Sequence, residues 1–512
     1  MPKKMVIIGA GIGGLSTGCY ARMNGYEAEI FESQLQPGGL CTSWKRNGYT
    51  FDGCIHWLTG SSPADSFYEL WEELGAVQGT KMVDHEIFQK YRDTDGREFI
   101  IYSDIDRLEE HMLAFSPADA DNIKLMCGLA RKFTRFNFPQ TKAYELLNIR
   151  DTIRMIWKFM PFARQYNFCN NLKAGDFAQR FKDPLLKEAI PKIFGGPDIS
   201  MVALIVTLAL FHKKAGGYPL GGSLEFAKKI EKRFLELGGT IHYGKTAEKI
   251  LTDNNLATGI LLKGGEEIRA DYVISASDLR RTLYNLLDGK YINPLHDELL
   301  DRVPVFPTSV QVSFGIRMNL PNKPDVLTSS YKMPEPFIIG NQEQLWLREH
   351  NYSYDPSLAP AGCTAVTSFF SVKDFEYWEK LYSNKEAYKA EKKKILDTVA
   401  GQFEKIYPGF SSRIEASDVA TPMTYVRYTG NWKGSYMTWS LAGKNARKFQ
   451  VIPKQVPGID NFWLAGMWVM APGGVPTGAK TGRDVIQMIC RKDRKVFRVE
   501  KGTRKQGDKG IK

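Results

Sequence analysis

The hydrophobic pattern at the start of the chain predicts a strand, a tight turn and a helix. The apolar run MVII at residues 5–8 is typical of a short buried strand, and the turn GAGIGG follows it at 9–14. Helical periodicity continues over 15–24, and a second apolar strand over 26–31 ends at Glu32. This order predicts the first unit of a parallel, Rossmann-type α/β sheet.

Downstream, the character of the pattern changes twice. Residues 61–215 are rich in helical patterns and aromatic side chains, 216–284 return to a helix followed by strands, and 285–420 mix strands with a charged helix. Two sets of elements are therefore interleaved, which indicates a discontinuous architecture. The predicted elements are a buried or interfacial helix at 199–211, a helix at 224–237, strands at 240–243, 250–251, 257–262, 268–276, 308–318 and 363–370, a helix near 385–404, a strand at 461–466 and a helix at 479–490.

Length and composition fit two domains of an ordinary globular protein. At 512 residues the chain is too long for one hydrophobic core, and 43% of its residues are hydrophobic and 25% charged. The longest apolar run, 199–211, is too short to span a bilayer.

The formal charge of +12 is concentrated at the C-terminus. Residues 491–512 hold ten Lys/Arg and three Asp/Glu, a net charge of +7, which leaves +5 for the rest of the chain. Such a tail fits a solvated, partly disordered segment, or one attracted to an anionic membrane surface. We expect no nucleic-acid partner, because no RNA or DNA motif accompanies the charge.

The cysteines and the N-terminus favour a reducing compartment. Seven cysteines are an odd number without a CxxC pair, which argues against a disulfide framework or a zinc site. The seven histidines lie far apart in sequence, so we predict no metal site. The start MPKKMVIIGAGIGG mimics a signal peptide, but cleavage there would remove a core strand. We therefore interpret the protein as uncleaved and cytoplasmic.

The turn at 9–14 has the spacing of a dinucleotide-binding fingerprint. Gly9 permits the tight turn, Gly11 lets a pyrophosphate approach the backbone, and Gly14 lets the helix pack closely on the strand. The helix N-terminus offers free N–H groups and a positive dipole end to the phosphates. Glu32 is placed to accept hydrogen bonds from ribose hydroxyls, which fits FAD or NAD. No second such unit is visible in the sequence, so we expect one bound dinucleotide.

Two further glycine clusters indicate an extended ligand. Gly38 and Gly39 are adjacent glycines just after Glu32, and a flavin that reaches deep into a protein needs such a second close approach to the backbone. The stretch GMWVMAPGGVPTGAKTG at 466–482 places five glycines where the last helix should begin. Backbone N–H groups there can reach a flavin, and the helix dipole can stabilise the negative charge of its reduced form.

On these segments the chain resembles the FAD-dependent phytoene desaturases, carotenoid isomerases and retinol saturases, within the wider flavin amine-oxidase fold. The resemblance covers nearly the whole chain and includes PGGLCTSWKRNGYTFDGCIHWLTG, YPLGGSLEFAKKIEKRFLELGGTIHYGKTAEKI, ADYVISASD, TPMTYVRYTGNWKGS and the C-terminal glycine stretch. It implies FAD as the cofactor. We predict a glutathione-reductase-like FAD-binding domain at 1–60, 216–284 and 421–490, a discontinuous α+β substrate domain at 61–215 and 285–420, and a basic tail at 491–512.

The resemblance extends to individual residues. It puts the backbone of Ala247 beside the adenine and Ala276 near the pyrophosphate. Many relatives carry a basic residue where this chain has Leu40, so the phosphate contact of that residue is in doubt here. Whether Lys45 or Arg46 replaces the basic residue is left open. The predicted cofactor-binding residues are Gly9, Ala10, Gly11, Gly13, Gly14, Leu15, Glu32, Ser33, Gly38, Gly39, Leu40, Ala247, Ala276, Gly466, Gly474, Val475 and Gly478.

The activity that the resemblance implies is FAD-dependent oxidation or reduction of carbon–carbon bonds in a polyene or isoprenoid lipid, by desaturation, saturation or isomerisation. A polyene offers nothing ionic to bind, so we expect a long apolar pocket. His56, whose segment the resemblance brings beside the flavin, is the one candidate catalytic residue, with a proton-transfer role and a structural role both open. The aromatic residues that permit a tunnel, although most of them are expected to be core, are Phe67, Tyr68, Trp71, Trp157, Phe159, Phe162, Phe369, Phe370 and Trp378.

A lipid substrate also implies peripheral contact with a membrane, at its inner face for a cytoplasmic protein. Residues 154–164 mix Arg and Lys with Trp and Phe as an interfacial segment does, and they could equally cap the tunnel. Two alternative functions stay open, a flavin amine oxidase and a flavin-free lipid carrier or chaperone like the Rab escort and GDP-dissociation inhibitor proteins. The electron partner, a quinone, oxygen or a reductase, is also open.

Overall fold

The computed structural model describes residues 1–137, 140–320, 326–439 and 452–501. Its centre is a five-stranded sheet in which every neighbouring pair is parallel. The strand that the N-terminal apolar run predicts is the middle one, which confirms the Rossmann-type α/β fold. In spatial order the strands are Phe462–Leu464, Tyr272–Ser275, Lys4–Ile8, Glu27–Glu32 and Thr240–Tyr243.

The two faces of this sheet are covered differently. Because side chains alternate along a strand, Met5 and Ile7 pack with the helices on one face, while Val6 and Ile8 pack on the other. On the first face, helix Ile12–Met23 contacts the two helices Gly222–Glu236 and Val475–Lys492. On the second face lies an antiparallel sheet of Ala247–Asp253, Leu256–Leu262 and Glu267–Arg269.

One predicted strand is in fact two. The apolar pattern over 268–276 predicts a single strand, which is wrong because the chain changes sheets within it. Ile268 pairs antiparallel with Ile260 in the three-stranded sheet, whereas Tyr272 pairs parallel with Met5 in the central sheet. The two halves differ in burial, since Glu267–Arg269 is largely exposed and Tyr272–Ser275 is fully buried, and the polar residues Arg269 and Asp271 between the apolar positions were the signal of this crossing.

A seven-stranded sheet lies in the part predicted to hold the substrate. It combines strands from both sequence segments of that part, because Val326–Ile339 pairs parallel with Ile87–Arg92. The domain boundaries themselves stay a prediction. In spatial order the strands are Ile414–Ala420, Thr308–Ile316, Thr364–Val372, Gln342–Asn351, Val326–Ile339, Ile87–Arg92 and Glu98–Tyr102.

Helices fill the region between residues 105 and 212. Met201–His212, the longest apolar run of the sequence, is mostly buried in their shared core. None of the helices in the described residues has the length and apolar character needed to cross a bilayer. The helices are Ile105–Phe115, Ala120–Phe133, Ile149–Asn170, Ala174–Ala178, Pro184–Ala189 and Met201–His212.

Shorter elements complete the fold. The remaining strands are Ser43–Arg46, Tyr49–Asp52, Met82–Val83 and Tyr218–Pro219, and the remaining α-helices are Phe67–Glu73, Pro294–Arg302, Phe375–Tyr382, Lys385–Ile406 and Pro422–Thr429. Single turns of 3-10 helix are Pro117–Asp119, Tyr144–Leu146, Ile190–Ile193, Ser411–Arg413, Trp432–Gly434 and Met467–Val469, and a π-helical turn is Arg281–Leu286.

The basic tail is partly docked. The Asp493 carboxylate accepts hydrogen bonds from the side chains of Lys3, Tyr26 and Tyr272, and Arg498 exchanges backbone hydrogen bonds with the Asn24 side chain. Residues 493–498 therefore lie against the central sheet and its first helix, and the side chains of Arg494, Lys495, Val496 and Arg498 are exposed to solvent. Residues 502–512 fall outside the described residues.

Candidate cofactor and substrate site

A cavity opens at the carboxyl edge of the central sheet. Each of the five strands delivers a residue to it at or just beyond its end: Gly9, Glu32, Lys245, Ala276 and Gly466. This edge is where open α/β sheets bind nucleotides, because loops and helix N-termini converge there. Gly11 and Gly474, which come from opposite ends of the chain, line the same cavity.

Close backbone contacts explain two of the fingerprint glycines. A Cβ atom on Gly14 would lie 1.9 Å from the Gly9 carbonyl oxygen, and one on Gly13 would lie 2.5 Å from the Gly466 Cα. No side chain fits in either place, so the first helix, the first strand and the loop at Gly466 meet backbone to backbone. The second glycine pair joins them, since the Gly38 N–H donates to the Ala10 carbonyl.

Two helices point their N-termini at this cavity. Gly11 caps helix Ile12–Met23 and Gly474 caps helix Val475–Lys492, and no side chain of the described residues caps either helix. The first N–H groups of each helix therefore face the cavity together with a positive dipole end. Gly474 has φ +94°, and a Cβ there would meet nothing closer than 3.9 Å. This arrangement can hold a pyrophosphate at one helix and an electron-rich ring edge at the other.

Glu32 is held in place by the loop beside it. One of its carboxylate oxygens accepts a hydrogen bond from the Ala10 N–H at 2.6 Å, and the other accepts from the Gln34 N–H at 2.8 Å and from the Ser33 hydroxyl at 3.2 Å. The oxygen bonded to the Ala10 N–H has a further lone pair that can accept from a ribose hydroxyl, whereas the other oxygen already accepts twice. The carboxylate is thus a loop anchor that also lines the cavity.

The structure brings together most of the predicted cofactor-binding residues. Three of them do not line the cavity: Ala10 and Leu15 are fully buried behind it, and Gly14 packs on Gly9. The predicted residues that do line it are Gly9, Gly11, Gly13, Glu32, Ser33, Gly38, Gly39, Leu40, Ala247, Ala276, Gly466, Gly474, Val475 and Gly478.

Sequence reasoning missed the cations of this cavity. Leu40 lines it as predicted, but Lys45 and Arg46 do not, and Arg46 instead pairs with Asp418. Lys245 and Arg281 supply positive charge there. Lys245 comes two residues after the predicted strand at 240–243, so the sequence could have predicted its place at the edge of the sheet. Arg281 lies beyond the end of another strand and has no motif of its own. Other lining residues that were not predicted include Tyr428, Asn431, Tyr436 and Trp468.

A second, larger cavity shares a wall with the first. Its volume is about 1190 Å³, and Tyr436 lines both spaces. Of the aromatic residues expected to form a tunnel, Phe369 and Phe370 line it, while Trp71 and Trp378 are fully buried core and Trp157 is exposed on the surface. The lining is mixed and not purely apolar. Its charged residues are Lys192, Arg280, Arg302, Arg348, Lys373, Lys433, Asp198, Asp301 and Glu343.

His56 lines neither of the two cavities. Its ring stacks on His350 with 4.2 Å between ring centroids, and Phe369 packs edge-on against it at 4.8 Å. Its Nδ1 is buried and has no hydrogen-bond partner among the described residues. Burial, and secondarily the nearby Arg348 cation, lowers the pKa of His56 to about 4, so the ring is neutral at pH 7. Two residues earlier, Cys54 does line the first cavity.

A buried carboxylate joins the parts around the site. Asp52 accepts hydrogen bonds from the Ser223 N–H at 3.2 Å and the Tyr218 hydroxyl at 3.1 Å, and its carbonyl accepts from the Gln311 side chain at 2.8 Å. Burial raises the pKa of Asp52 to about 6. Because these partners come from three separate elements, Asp52 fixes the strand that leads to Cys54 and His56.

The fold and the nucleotide cavity define a dinucleotide-binding protein with a second, larger cavity beside the first. The chain belongs to the flavin containing amine oxidoreductase family, whose model matches residues 12–489. Its dinucleotide is therefore FAD, and the uncapped helix ends and glycine contacts described above fit that cofactor.

Named relatives and solved structures agree with this assignment. The chain is 25% identical over 507 residues to the neurosporene-forming phytoene desaturase of Rhodobacter capsulatus, covering 95% of this chain and 94% of the relative. It is 25% identical over 453 residues to the chloroplastic prolycopene isomerase of Daucus carota, covering 84% of this chain and 71% of the relative.

Two solved structures share the fold. An oxidoreductase from Methanosarcina mazei matches with a TM-score of 0.61 and 17% identity, covering 94% of this chain and 100% of the other. Cyclohexylamine oxidase from Brevibacterium oxydans matches with a TM-score of 0.59 and 12% identity, covering 97% and 100%. The fold is thus common to enzymes with unrelated substrates, so the substrate must be inferred from the cavity.

Proposed function

We propose that the protein desaturates carbon–carbon single bonds, or saturates or isomerises carbon–carbon double bonds, of a polyene or isoprenoid lipid bound in the larger cavity. The observation that carries this proposal is the wall that the two cavities share at Tyr436. A molecule in the larger cavity would lie directly beside the cofactor cavity. The curated relatives named above, a phytoene desaturase and a prolycopene isomerase, support this choice of substrate class.

The charge of the larger cavity argues against an amine substrate. Six Lys or Arg residues and three Asp or Glu residues line it, which leaves a net charge of +3. A protonated amine would be repelled there, because like charges in a cleft raise the local potential. A flavin-free carrier is disfavoured as well, since the chain keeps the glycine contacts and both uncapped helix ends at the cofactor cavity.

When bound, FAD supplies hydride exchange at its N5 atom. The chain's own residues bind and orient the two molecules. We propose that the Gly11 helix end holds the pyrophosphate with Arg281 nearby, that Glu32 holds the ribose, and that the Gly474 helix end faces the flavin. The rings of Phe369 and Tyr436 would hold the polyene and exclude water from it.

Anaerobic spectroscopy of the purified holoprotein tests this function. We expect the protein to carry FAD, and a polyene panel of phytoene, retinol and lycopene isomers to change the flavin spectrum or to be converted. Putrescine and cyclohexylamine serve as the matched amine panel and should have no effect. Flavin reduction by the amines with no response to polyenes would overturn the proposal in favour of an amine oxidase, and a protein that cannot bind FAD would favour a carrier.

We also propose that helix Ile149–Asn170 attaches the protein to an anionic membrane. Large apolar side chains at helical spacing face solvent here, with Ile149 79%, Ile153 50%, Ile156 57% and Met160 56% exposed, and Trp157 beside them 66% exposed. Soluble proteins rarely leave such a stripe uncovered. The charged side chains on the same helix are Arg150, Arg154, Lys158, Arg164 and Asp151, a net charge of +3.

This combination is typical of a helix that lies in a bilayer interface. The apolar stripe enters the acyl region and the cations contact anionic headgroups. On its inner side the helix is held by aromatic contacts, such as Phe162 on Phe133 and on Phe136. Docking there would bring an apolar substrate within reach of the protein.

Vesicle flotation tests the attachment. The double variant Ile153→Ser, Trp157→Ser should bind vesicles of phosphatidylglycerol and phosphatidylcholine about tenfold more weakly than the wild type, because it removes two apolar anchors. The control Leu235→Ser changes an exposed leucine on another helix and should have no effect. Equal losses in both variants, or no binding by the wild type at low salt, would contradict the proposal.

A further inference from the structure

Arg348 enters the larger cavity from the middle of a strand. Side chains alternate along Gln342–Asn351, so Trp346, Arg348 and His350 share one face, spaced about 7 Å apart. On the opposite face Glu349 accepts hydrogen bonds from Tyr331 and Tyr407. The strand runs inward from exposed Glu343 to buried His350, so Arg348 lies deeper in the cavity than Trp346.

A second cation flanks the same strand. The Lys192 Nζ lies 4.1 Å from the centroid of the Trp346 ring, and Lys192 lines the cavity with Arg348. Glu188, the nearest carboxylate to act on Lys192, is already engaged by the Lys332 ammonium at 2.7 Å and the Trp346 indole N–H at 3.0 Å. Lys192 is therefore left with a ring face and no carboxylate of its own among the described residues.

Arg348 is also unpaired. No ion pair or side-chain hydrogen bond joins its guanidinium to any of the described residues, although it is only partly exposed. Two other cations of the cavity are paired, Arg280 with Asp301 and Lys433 with Glu376, and the remaining two, Arg302 and Lys373, are exposed to solvent. Arg348 is thus an unpaired cation near the stacked rings of His56 and His350, and Lys192, which has no ion pair among the described residues, lines the same cavity.

A hydrocarbon polyene gives these cations nothing to bind. Burying charge without a partner costs free energy, and natural sites retain such charge where a ligand supplies the opposite one. Arginine presents a planar fork of donors that matches the two oxygens of a carboxylate or phosphate, and lysine adds a point charge.

We infer that the substrate carries an oxyanion head group, a carboxylate or a phosphate, which Arg348 and Lys192 bind at the inner end of the larger cavity. This inference rests on the proposed function, because it assigns one end of the same unsaturated lipid. The head group fixes the register of the chain, so that one particular carbon–carbon bond faces the cofactor cavity across Tyr436. The apolar remainder of the substrate lies along the aromatic wall of Phe369 and Phe306 toward the opening.

The pH dependence of binding supplies an independent readout. Burial lowers the pKa of Lys192 to about 7. The Arg348 and Lys332 cations lower this pKa as well, whereas the Glu188 carboxylate raises it. The rings of His56 and His350, which are neutral, lie near Arg348. Lys192 must be protonated to bind an anion, so affinity for an acid should fall as the pH rises above about 7. The Lys192→Met variant should bind more weakly and lose this dependence.

Matched ligand pairs test the head group directly. Dissociation constants for the oxidised holoprotein are measured from the flavin spectrum with retinoic acid against retinol, and with geranylgeranyl diphosphate against geranylgeraniol. We expect one acid to bind about tenfold tighter than its alcohol, and the Arg348→Ala variant to lose that advantage while keeping its affinity for the alcohol. Arg348→Lys should restore part of the affinity. The control Arg302→Ala removes an exposed cation of the same cavity and should change affinity less than about twofold.

The outcomes separate this inference from the proposed function. If alcohols and acids bind equally well to the wild type, the head-group site is wrong and the polyene function stands. If neither class changes the flavin spectrum but phytoene or a lycopene isomer does, the head-group site is wrong and the polyene function stands; if those hydrocarbons fail as well, both fall. If Arg348→Ala weakens acid and alcohol equally, or shifts the flavin potential without any ligand, Arg348 serves the fold or the cofactor and the inference is overturned. Preference for the carboxylate or for the diphosphate decides which oxyanion the site takes.

Discussion

We propose two roles for the Glu32 carboxylate, one in the loop and one toward the ribose. It holds the fingerprint loop through the Ala10 and Gln34 N–H groups, and it lines the cavity where a ribose would bind. All of the donors that reach it need an acceptor. An amide in its place would direct an N–H toward one of them, so the loop and the ribose contact should fail together.

We therefore expect the Glu32→Gln variant to bind FAD about 10- to 100-fold more weakly, the loss of one or two hydrogen bonds to a charged group. Titration of the apoprotein with FAD, followed by flavin fluorescence, measures this. Glu27→Gln is the matched control, because Glu27 begins the same strand and is exposed. Retention of FAD by Glu32→Gln at wild-type affinity would show that the carboxylate only shapes the loop.

His56 should make the protein sensitive to acid. Its folded-state pKa, about 4, lies below the ordinary value of 6.5, so an unfolded chain takes up a proton between these values that the folded protein does not. The free energy of unfolding should consequently be unaffected by this residue above pH 6.5 and fall by up to about 3 kcal/mol as the pH drops to 4.

Urea unfolding of the wild type and of His56→Gln at pH 7.5, 6, 5 and 4 measures this effect. The difference in unfolding free energy between the two proteins isolates His56 from other groups such as Asp52, whose raised pKa acts in the opposite direction. Parallel pH profiles would mean that His56 titrates normally. A proton-transfer role for His56 remains a prediction, and a kcat profile that loses a step with an apparent pKa near 4 in His56→Gln would support it.

The contact between the first and last helices is made at glycines. A Cβ on Gly482 would lie 2.7 Å from the Thr17 nitrogen and 2.8 Å from the Gly13 carbonyl oxygen. Gly478 and Gly482 therefore let helix Val475–Lys492 pack on helix Ile12–Met23, while Gly474 serves the cavity. The glycine-rich stretch combines helix packing with cofactor access, and the sequence alone suggested only the second role.

We expect Gly482→Val to destabilise the protein by about 1–3 kcal/mol, because the side chain must push two backbones apart. Gly401→Ala is the matched control in helix Lys385–Ile406, where a Cβ meets nothing within 4 Å, and it should be neutral or stabilise by about 0.5–1 kcal/mol. Thermal unfolding measures both variants. A Gly482→Val protein as stable as the wild type would mean that the helices can separate without cost.

Local signals account for what the sequence could predict about these elements. The strand at 240–243 is found at Thr240–Tyr243 and the charged helix near 385–404 at Lys385–Ile406, because turn residues and periodicity mark their ends. Long-range placement accounts for the rest. Nothing local to Arg281 or Arg348 indicates that one lines the cofactor cavity and the other the larger cavity, since each is positioned by strands far away in sequence.

At the scale of the whole molecule, the C-terminal helix Val475–Lys492 contacts parts of the chain that are far apart in sequence. One side of this helix packs on helix Ile12–Met23. Its other side holds the segment around residues 141–145 through side-chain hydrogen bonds. Arg483 and Gln487 donate to the Thr141 carbonyl, and Lys480 donates to the Lys142 carbonyl. The Lys454 ammonium adds an ion pair with Glu145 at 2.7 Å. The chain terminus therefore connects the nucleotide sheet with the segment that leads into the exposed helix Ile149–Asn170.

The C-terminal helix also makes a buried, bidentate ion pair with helix Phe67–Glu73. Arg483 donates to both oxygens of Glu73, at 2.8 and 3.1 Å, and Tyr20 donates to the same carboxylate. Both charged side chains are almost fully buried. Removing either partner alone would leave the other charge buried without compensation, which costs about 3–5 kcal/mol, whereas replacing both with apolar residues costs much less.

A double-mutant cycle on Arg483 and Glu73 measures this connection. Arg483→Met and Glu73→Leu should each lower the free energy of urea unfolding by about 3–5 kcal/mol, and the double variant should lose clearly less than the sum. Lys393→Met, which breaks an exposed ion pair with Asp397, should cost less than about 0.5 kcal/mol. If the two buried changes are additive, the pair does not act as a unit, and the attachment of the C-terminal helix must depend on its apolar contacts alone.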